Sequence, residues 1–184
     1  MYMLQDKLYN YINDTLSPLT NIELGLEYEK IGQGAAALSF FLRTAELTHE
    51  TYPLLAYTCI LKTWLQMCNT TRRPIWEMEQ LYTAVAFQPQ RAEAYYFLSK
   101  KYSDKGEHKA SYMYACLGLE FIDKEALPYE IGDYKPYKLY MQKAFSGWYT
   151  SQRLESREIF QQLGNMGGID DKDVELINKN ILYV

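Results

Sequence analysis

Histidine is nearly absent from this sequence: His49 and His108 are the only two in 184 residues. Both stand in polar stretches, THET and GEHKA, and are expected to be exposed. Neither has the cysteine or acid spacing of a metal site or a catalytic triad. Cysteine is scarce as well. Cys59, Cys68 and Cys116 are odd in number and lack a C-x-x-C pair, so they read as buried free thiols of a reducing compartment. No apolar run approaches the roughly 20 residues a membrane-spanning helix needs. The opening MYMLQDKLYNYIND carries polar and acidic residues where a secretory leader would be apolar. A basic excess is missing too. With 19 Lys+Arg against 23 Asp+Glu the formal charge is −4, which argues against a partner whose phosphates demand a basic face. The chain is expected to be cytoplasmic, with no membrane and no nucleic acid among its partners.

What is present is an ordinary globular balance, 48% hydrophobic and 23% charged, long enough for one domain with a continuous core. Tyrosine is the exception, with 18 residues. Its large ring suits crowded helix seams, its hydroxyl needs a partner or water, and both properties also suit an interaction surface.

Two segments repeat. Leu24, Gly25, Tyr28 and Gly32 in the first correspond to Leu98, Ser99, Tyr102 and Gly106 in the second. An alanine follows each glycine, Ala37 and Ala110, with an aromatic four positions on, Phe41 and Tyr114. Leucine and tyrosine four apart share one helical face. The small residue beside the leucine lets a second helix approach. Each glycine supplies the positive φ at which the first helix stops and the chain reverses. This resembles the tetratricopeptide repeat, a 34-residue helix–turn–helix unit. Gly32 and Gly106 stand 74 positions apart, about two units, so a diverged unit should lie between them. Tyr57, Ile60, Leu61, Trp64 and Leu65 form a helical stripe there. The polar stretch 69–73, with Arg72 and Arg73, interrupts it. Pro74 can open the return helix, whose inner face is read as Trp76, Leu81, Ala84 and Val85.

A fourth hairpin covers 135–164, with Met141, Ala144, Phe145 and Trp148 expected inward on its first helix and Ile159, Phe160 and Leu163 on its second. Residues 169–184 predict a last helix with an acidic start. The predicted fold class is all-α: an α-α solenoid of about four tetratricopeptide-like hairpins with a C-terminal capping helix. As domains, 1–184 is one repeat domain: a cap or tail over 1–16, hairpins over 17–50, 51–90, 91–123 and 135–164, and the capping helix over 169–184.

Residues 25–47, 88–120 and 143–163 also resemble a narrower group, the helical region accompanying glycosyltransferases in bacteriophages, giant viruses and some bacteria. The resemblance implies an accessory role beside sugar-transfer chemistry, or a phage or viral source. It covers most of the chain and no catalytic domain.

Motifs that imitate enzyme chemistry have simpler explanations. Gly32-Gln33-Gly34-Ala35-Ala36-Ala37 fits a loose dinucleotide loop, but a helix precedes it where such a loop needs a strand. Asp171-Lys172-Asp173 has the spacing of a metal-holding D-x-D, yet it opens a helix, where aspartate caps. No catalytic residue, metal ligand or cofactor is expected, and the chain is read as no enzyme. The repeat resemblance puts the first helix of each hairpin on a concave face. Glu29, Lys30, Lys62, Gln66, Glu93, Tyr96, Lys100, Gln142 and Tyr149 are thereby the candidate partner-binding residues, with Leu26, Thr58 and Ser146 beside them. Merely solvated helix faces would carry a similar set. Segment 123–137, rich in tyrosine and acid, is expected to pack along the groove. The function expected is a protein-binding adaptor or scaffold with a protein or peptide partner. The alternatives are an accessory subunit of a glycosyltransferase encoded elsewhere and a virion structural component, with homo-oligomerisation through a tyrosine-rich face left open.

Overall fold

The computed structural model describes residues 2–70 and 74–183, so the Arg72-Arg73 pair lies outside the described residues. Within them are ten helices and no strand: α1 Tyr2–Asn13, α2 Pro18–Lys30, α3 Gly34–Thr48, α4 Pro53–Thr70, α5 Pro74–Phe87, α6 Ala92–Asp104, α7 His108–Leu119, α8 Tyr137–Trp148, α9 Arg153–Gly164 and α10 Asp171–Tyr183. Consecutive helices pair as α2/α3, α4/α5, α6/α7 and α8/α9, with α10 packed on α9. The all-α hairpin architecture expected from the sequence is therefore observed. Two compact units result, residues 1–89 with 125–132, and residues 90–124 with 133–184.

Gly32 and Gly106 do the same work in their hairpins, at φ 75° and 76°. Gly32 N–H donates to the Glu29 carbonyl (3.0 Å) and Gln33 N–H to that of Tyr28 (2.8 Å); Gly106 and Glu107 repeat the pair with Ser103 and Tyr102, both at 2.9 Å. This double bond closes the last helical turn and turns the chain back. At the other end of α2, Ser17 accepts from the Thr20 amide and Pro18 occupies the first turn.

In the first unit α2 and α3 cross at Gly25. A Cβ there would lie 2.6 Å from the Phe41 ring, which is fully buried with Ile22, Ala37, Ala45, Ala56 and Cys59 around it. The Tyr28 and Phe40 rings stack at 5.6 Å, and Tyr11 of α1 meets Phe40 edge-on at 5.3 Å. On α5 Leu81 and Ala84 are buried, but Trp76 is 45% exposed. The inner face expected to include Trp76 instead takes Met78, two residues on.

In the second unit Ser99 takes the place that Gly25 has in the first. Its hydroxyl donates to the Ser111 carbonyl (2.8 Å), and Ser111 and Ser146 hydroxyls meet at 2.5 Å, joining α6, α7 and α8 through buried small residues. On α8 the inward side carries Tyr137, Leu139, Ala144, Ser146 and Gly147. Ala144 is buried as expected, whereas Met141 and Trp148 are half-buried and Phe145 is exposed. Close approach explains the difference: a Cβ on Gly147 would meet the Ser156 hydroxyl of α9 at 2.6 Å and Ser146 meets Ser111 of α7, so small residues, not large ones, take the inner positions. The expected Ile159, Phe160 and Leu163 are all buried, joined by Ile177 of α10. Asp173 of the D-x-D ties α10 to α8, and Asp171 is exposed. Tyr137 donates to the Asp173 carboxylate (2.7 Å) and accepts from the Asp170 amide (3.3 Å), while Lys138 lies 3.4 Å from Asp173.

Candidate interaction site

Segment 123–137 divides between the units, and its residues 125–132 wall a cleft in the first one. The cleft holds about 670 Å³. Its floor is the C-terminal half of α2 (Leu26, Glu29) and of α4 (Lys62, Leu65, Gln66, Asn69); Tyr129, Glu130 and Gly132 close one side, and Gly32 and Gly34 form the rim. Helical spacing explains the grouping, since Lys62 and Gln66 are one turn apart on α4 and face the same way. Both bind Glu29: Lys62 Nζ lies 2.7 Å from Oε2, and Gln66 Nε2 donates to Oε1 at 2.8 Å. The Lys62 side chain is 7% exposed and that of Glu29 28%. The ammonium also sits over the Phe41 ring, 5.5 Å from its centre, so the cation is held inside the unit and the carboxylate faces the cleft.

Three of the nine residues expected on a binding face are thus brought together. Lys30 is exposed at the end of α2 and does not line the cleft. Thr58, on the same expected face, is fully buried and donates to the Leu54 carbonyl at 2.6 Å. The second unit scatters its share. Glu93 is buried in an ion pair with Arg91. Tyr96 is 2% exposed and donates to Asp133 at 3.3 Å. Lys100 and Lys138 reach the same Asp133 oxygen at 3.0 and 3.2 Å. Partial burial opposes ionisation of Asp133, but the hydrogen bonds and charges of the two lysines outweigh it and hold the carboxyl below its ordinary range. Gln142 lines a smaller apolar cavity of about 210 Å³ with Met141, Phe145 and Phe160, and its Oε1 has no hydrogen-bond partner there. Ser146 is fully buried. Tyr149 is exposed and stacks on His108 at 4.3 Å. His108, expected in solvent, is therefore half-buried. Asp133 was legible only as part of the acid-rich segment 123–137, whose Gly132-Asp133 is a turn signal, and not as the partner of Tyr96, Lys100 and Lys138.

Of the three cysteines expected to be buried, Cys59 is, whereas Cys68 and Cys116 are half-buried. Burial pushes the Cys59 thiol up to about 12, despite the nearby Lys62 charge and a Thr44 hydrogen bond. Burial likewise raises Cys116, against the Lys143 charge and the Tyr112 hydroxyl. Both remain thiols at neutral pH, the weaker nucleophilic form.

No protein-family model matches the chain, and no curated protein matches it in sequence. Solved structures do match. A MamA structure superposes with TM-score 0.62 at 17% identity over 86% of this chain and 82% of its own. A second MamA structure, residues 41 to the end from Desulfovibrio magneticus RS-1, gives 0.62 at 14% over 88% and 82%. A thermophilic TPR protein of Thermus thermophilus gives 0.62 at 13% over 98% and 89%. The fold is tetratricopeptide-like. At these identities the likeness fixes the fold alone, and the cleft carries whatever is said of function. Within the tetratricopeptide-like hairpins, the α2 and α4 residues that form the cleft floor belong to the first helix of each pair.

Proposed function

We propose that this chain is a non-enzymatic protein-binding adaptor or scaffold that takes a protein or peptide segment in the cleft of its first unit. The observation that carries the proposal is the cleft itself: about 670 Å³, open, and lined in roughly equal part by carbon and by hydrogen-bonding groups. That mixture suits a polypeptide, whose backbone needs hydrogen-bond partners while its side chains need apolar contact. It suits an apolar small molecule less well. Among the described residues no three His, Cys, Asp or Glu cluster as metal ligands, the Cys59 and Cys116 thiols stay protonated, and His108 is engaged with Tyr149. Among the same residues no nucleophile, base and anion-binding groups converge.

Glu29, Lys62 and Gln66 are the residues assigned to this contact; Lys30, and Lys100, Gln142 and Tyr149 of the second unit, are proposed only for contacts outside the cleft, whereas Glu93 and Tyr96 are buried in internal pairs. The resemblance of 25–47, 88–120 and 143–163 to glycosyltransferase-associated helical regions supports a second reading. In it the chain is an accessory subunit of a sugar-transfer enzyme encoded elsewhere, of phage or viral origin, working in the bacterial or infected-cell cytoplasm. A virion component is the structural variant of the first reading. No described helix is long and apolar enough to cross a membrane.

Co-purification of the tagged full chain from the cells that encode it, with mass-spectrometric identification, tests both. A partner retained by the native chain and lost with Leu26→Arg is the expected result. Recovery of a glycosyltransferase would favour the second reading. Recovery of the chain only with itself, or turnover of a sugar nucleotide by the purified protein, would overturn the adaptor reading.

A further inference from the structure

The cleft of the first unit holds three charged side chains, and they do not face it equally. Lys62 is the only cation among the described lining residues, its side chain is 7% exposed, and its ammonium is engaged by Glu29 at 2.7 Å. Glu29 is 28% exposed on its other side. A carboxylate offers about four acceptor positions, and the two donors on Glu29 leave room for more. Glu130, on the opposite wall, is exposed. Among the described lining residues, an occupant therefore meets two carboxylates and no accessible ammonium. Lys30, next along α2, is exposed but does not line the cleft.

The backbone adds to this field. α2 ends at Lys30, just before the rim residue Gly32, and the last turn of α4 reaches the cleft at Asn69; a helix C-terminus carries roughly half a negative charge. α3 begins on the same rim at Gly34, and its N-terminus offsets one of the two. Over the described lining residues the balance is two carboxylates against one paired ammonium. Beside the carboxylates stand Leu26, Leu65 and the Tyr129 ring, surfaces against which a long aliphatic stem can lie while its charged end reaches an acid.

We propose that the cleft between α2, α4 and residues 125–132 receives a basic side chain, arginine or lysine, from an extended peptide segment of a partner. The cationic end meets Glu29 and Glu130, and the stem lies along Leu26 and Tyr129. Arginine fits better, because its planar fork can engage a carboxylate through two bonds and stack on the tyrosine ring. This inference rests on the adaptor reading and specifies the chemistry of its partner.

The test is fluorescence anisotropy of the full chain against three fluorescein-labelled nonapeptide pools, degenerate except for a central Arg, Gln or Glu. The Arg pool should bind at least fivefold more tightly than the Gln pool, and the Glu pool least. Glu130→Gln, at an exposed position that leaves the core untouched, should reduce the Arg preference by threefold or more. Glu130→Lys should abolish it or turn it toward the Glu pool. Raising salt from 50 to 300 mM should weaken Arg-pool binding more than Gln-pool binding. Equal binding of all pools, preference of the native chain for Glu, an Arg preference unchanged in Glu130→Gln, or no binding of any pool each overturns the inference. If the pools fail while a co-purified partner is still lost with Leu26→Arg, the adaptor reading stands and only the basic anchor falls. If both fail, both fall.

Discussion

Gly25→Ala separates a requirement for close helix approach from simple helix propensity. In an open helix interior alanine is better than glycine by about 0.8–1.0 kcal/mol, so propensity alone makes this variant more stable than the native chain. Packing says the opposite. The new Cβ would stand 2.6 Å from Phe41 Cε1 and 2.7 Å from Cδ1, where ordinary contact begins near 3.4 Å. The ring is fully buried among Ile22, Ala37, Ala45 and Cys59, with Lys62 over its face, and has no free space in which to move. Overpacking of this kind costs about 1–3 kcal/mol. Set against the propensity gain, the net effect is a destabilisation of about 1 kcal/mol, within a span of roughly 0–2.

Because the two terms oppose each other, the single variant is paired with Phe41→Leu. Shortening the ring destabilises by itself through the space it leaves. In that background the methyl of Gly25→Ala enters emptied volume, and the substitution should turn stabilising by up to about 1 kcal/mol. The coupling between the two changes is then about 1–3 kcal/mol, well above the 0.3–0.5 within which independent sites add. Urea unfolding followed by circular dichroism reads it as a shift in midpoint at unchanged slope. Hydrogen exchange over α2 and α3 locates the effect. A Gly25→Ala chain more stable than the native one, or additive effects of the two substitutions, would refute the packing argument.

Three further outcomes follow from named contacts. Gly32→Ala and Gly106→Ala meet nothing within 4 Å; their cost is the positive φ alone, about 1–2 kcal/mol each, with asparagine milder than alanine in the same urea titration. Tyr137→Phe removes the hydroxyl that joins Asp173 and the Asp170 amide. A hydrogen bond to a charged group is worth about 1.5–3 kcal/mol, so hydrogen exchange should accelerate across 171–183 and stay unchanged in α2–α4. Acid should weaken the second unit. Lys100 and Lys138 hold Asp133 below the ordinary carboxylate range against its partial burial, hydrogen bonds from Lys143 and Tyr112 do the same for Glu155, and Lys135 does so for Asp170. Groups with depressed folded values contribute stability above the unfolded value and lose it as pH falls through the folded one. The urea midpoint should therefore be flat from neutral pH to about 5 and fall below about 4, less steeply in Asp133→Asn.

The repeat was legible because its signals are local. Leucine, a small residue, tyrosine and glycine within nine positions specify a helix face, a crossing point and a stop, and Gly32 and Gly106 adopt the turn that spacing demands. The register of α8 was not legible in the same way. Phe145 and Trp148 are its large apolar residues, but Ser146 and Gly147 are its small ones, and at a close crossing the small pair goes inside. Trp76 lies outward for a related reason: a large ring cannot enter a face already filled by Leu81 and Ala84. The His108–Tyr149 stack joins residues in different hairpins, which no local pattern announces. The cleft was half legible. Glu29, Lys62 and Gln66 could be placed on one face through the repeat resemblance, whereas the burial of Glu93 and Tyr96 depends on Arg91 and on Asp133, which arrives from the insertion.

The two units treat equivalent lysines alike, and this bears on what the surface can bind. Lys62 and Lys100 each stand on the first helix of a hairpin, and each is bound by an acid 33 positions away. In the first unit the acid is Glu29 of the preceding hairpin; in the second it is Asp133 of the insertion. Each pairing uses a cation to fasten one segment to another, so the ammonium groups of Lys62 and Lys100 are already committed to the fold, while Lys30 stays exposed. The cation is also the partner with less exposure in the first pair. At the cleft the buried cation leaves the carboxylates of Glu29 and Glu130 as the charged groups an occupant meets, and the partner proposed for it is accordingly a basic one. The insertion serves both ends of that arrangement. Asp133 fastens Lys100 in one unit, and three residues earlier Glu130 adds the second carboxylate to the cleft of the other.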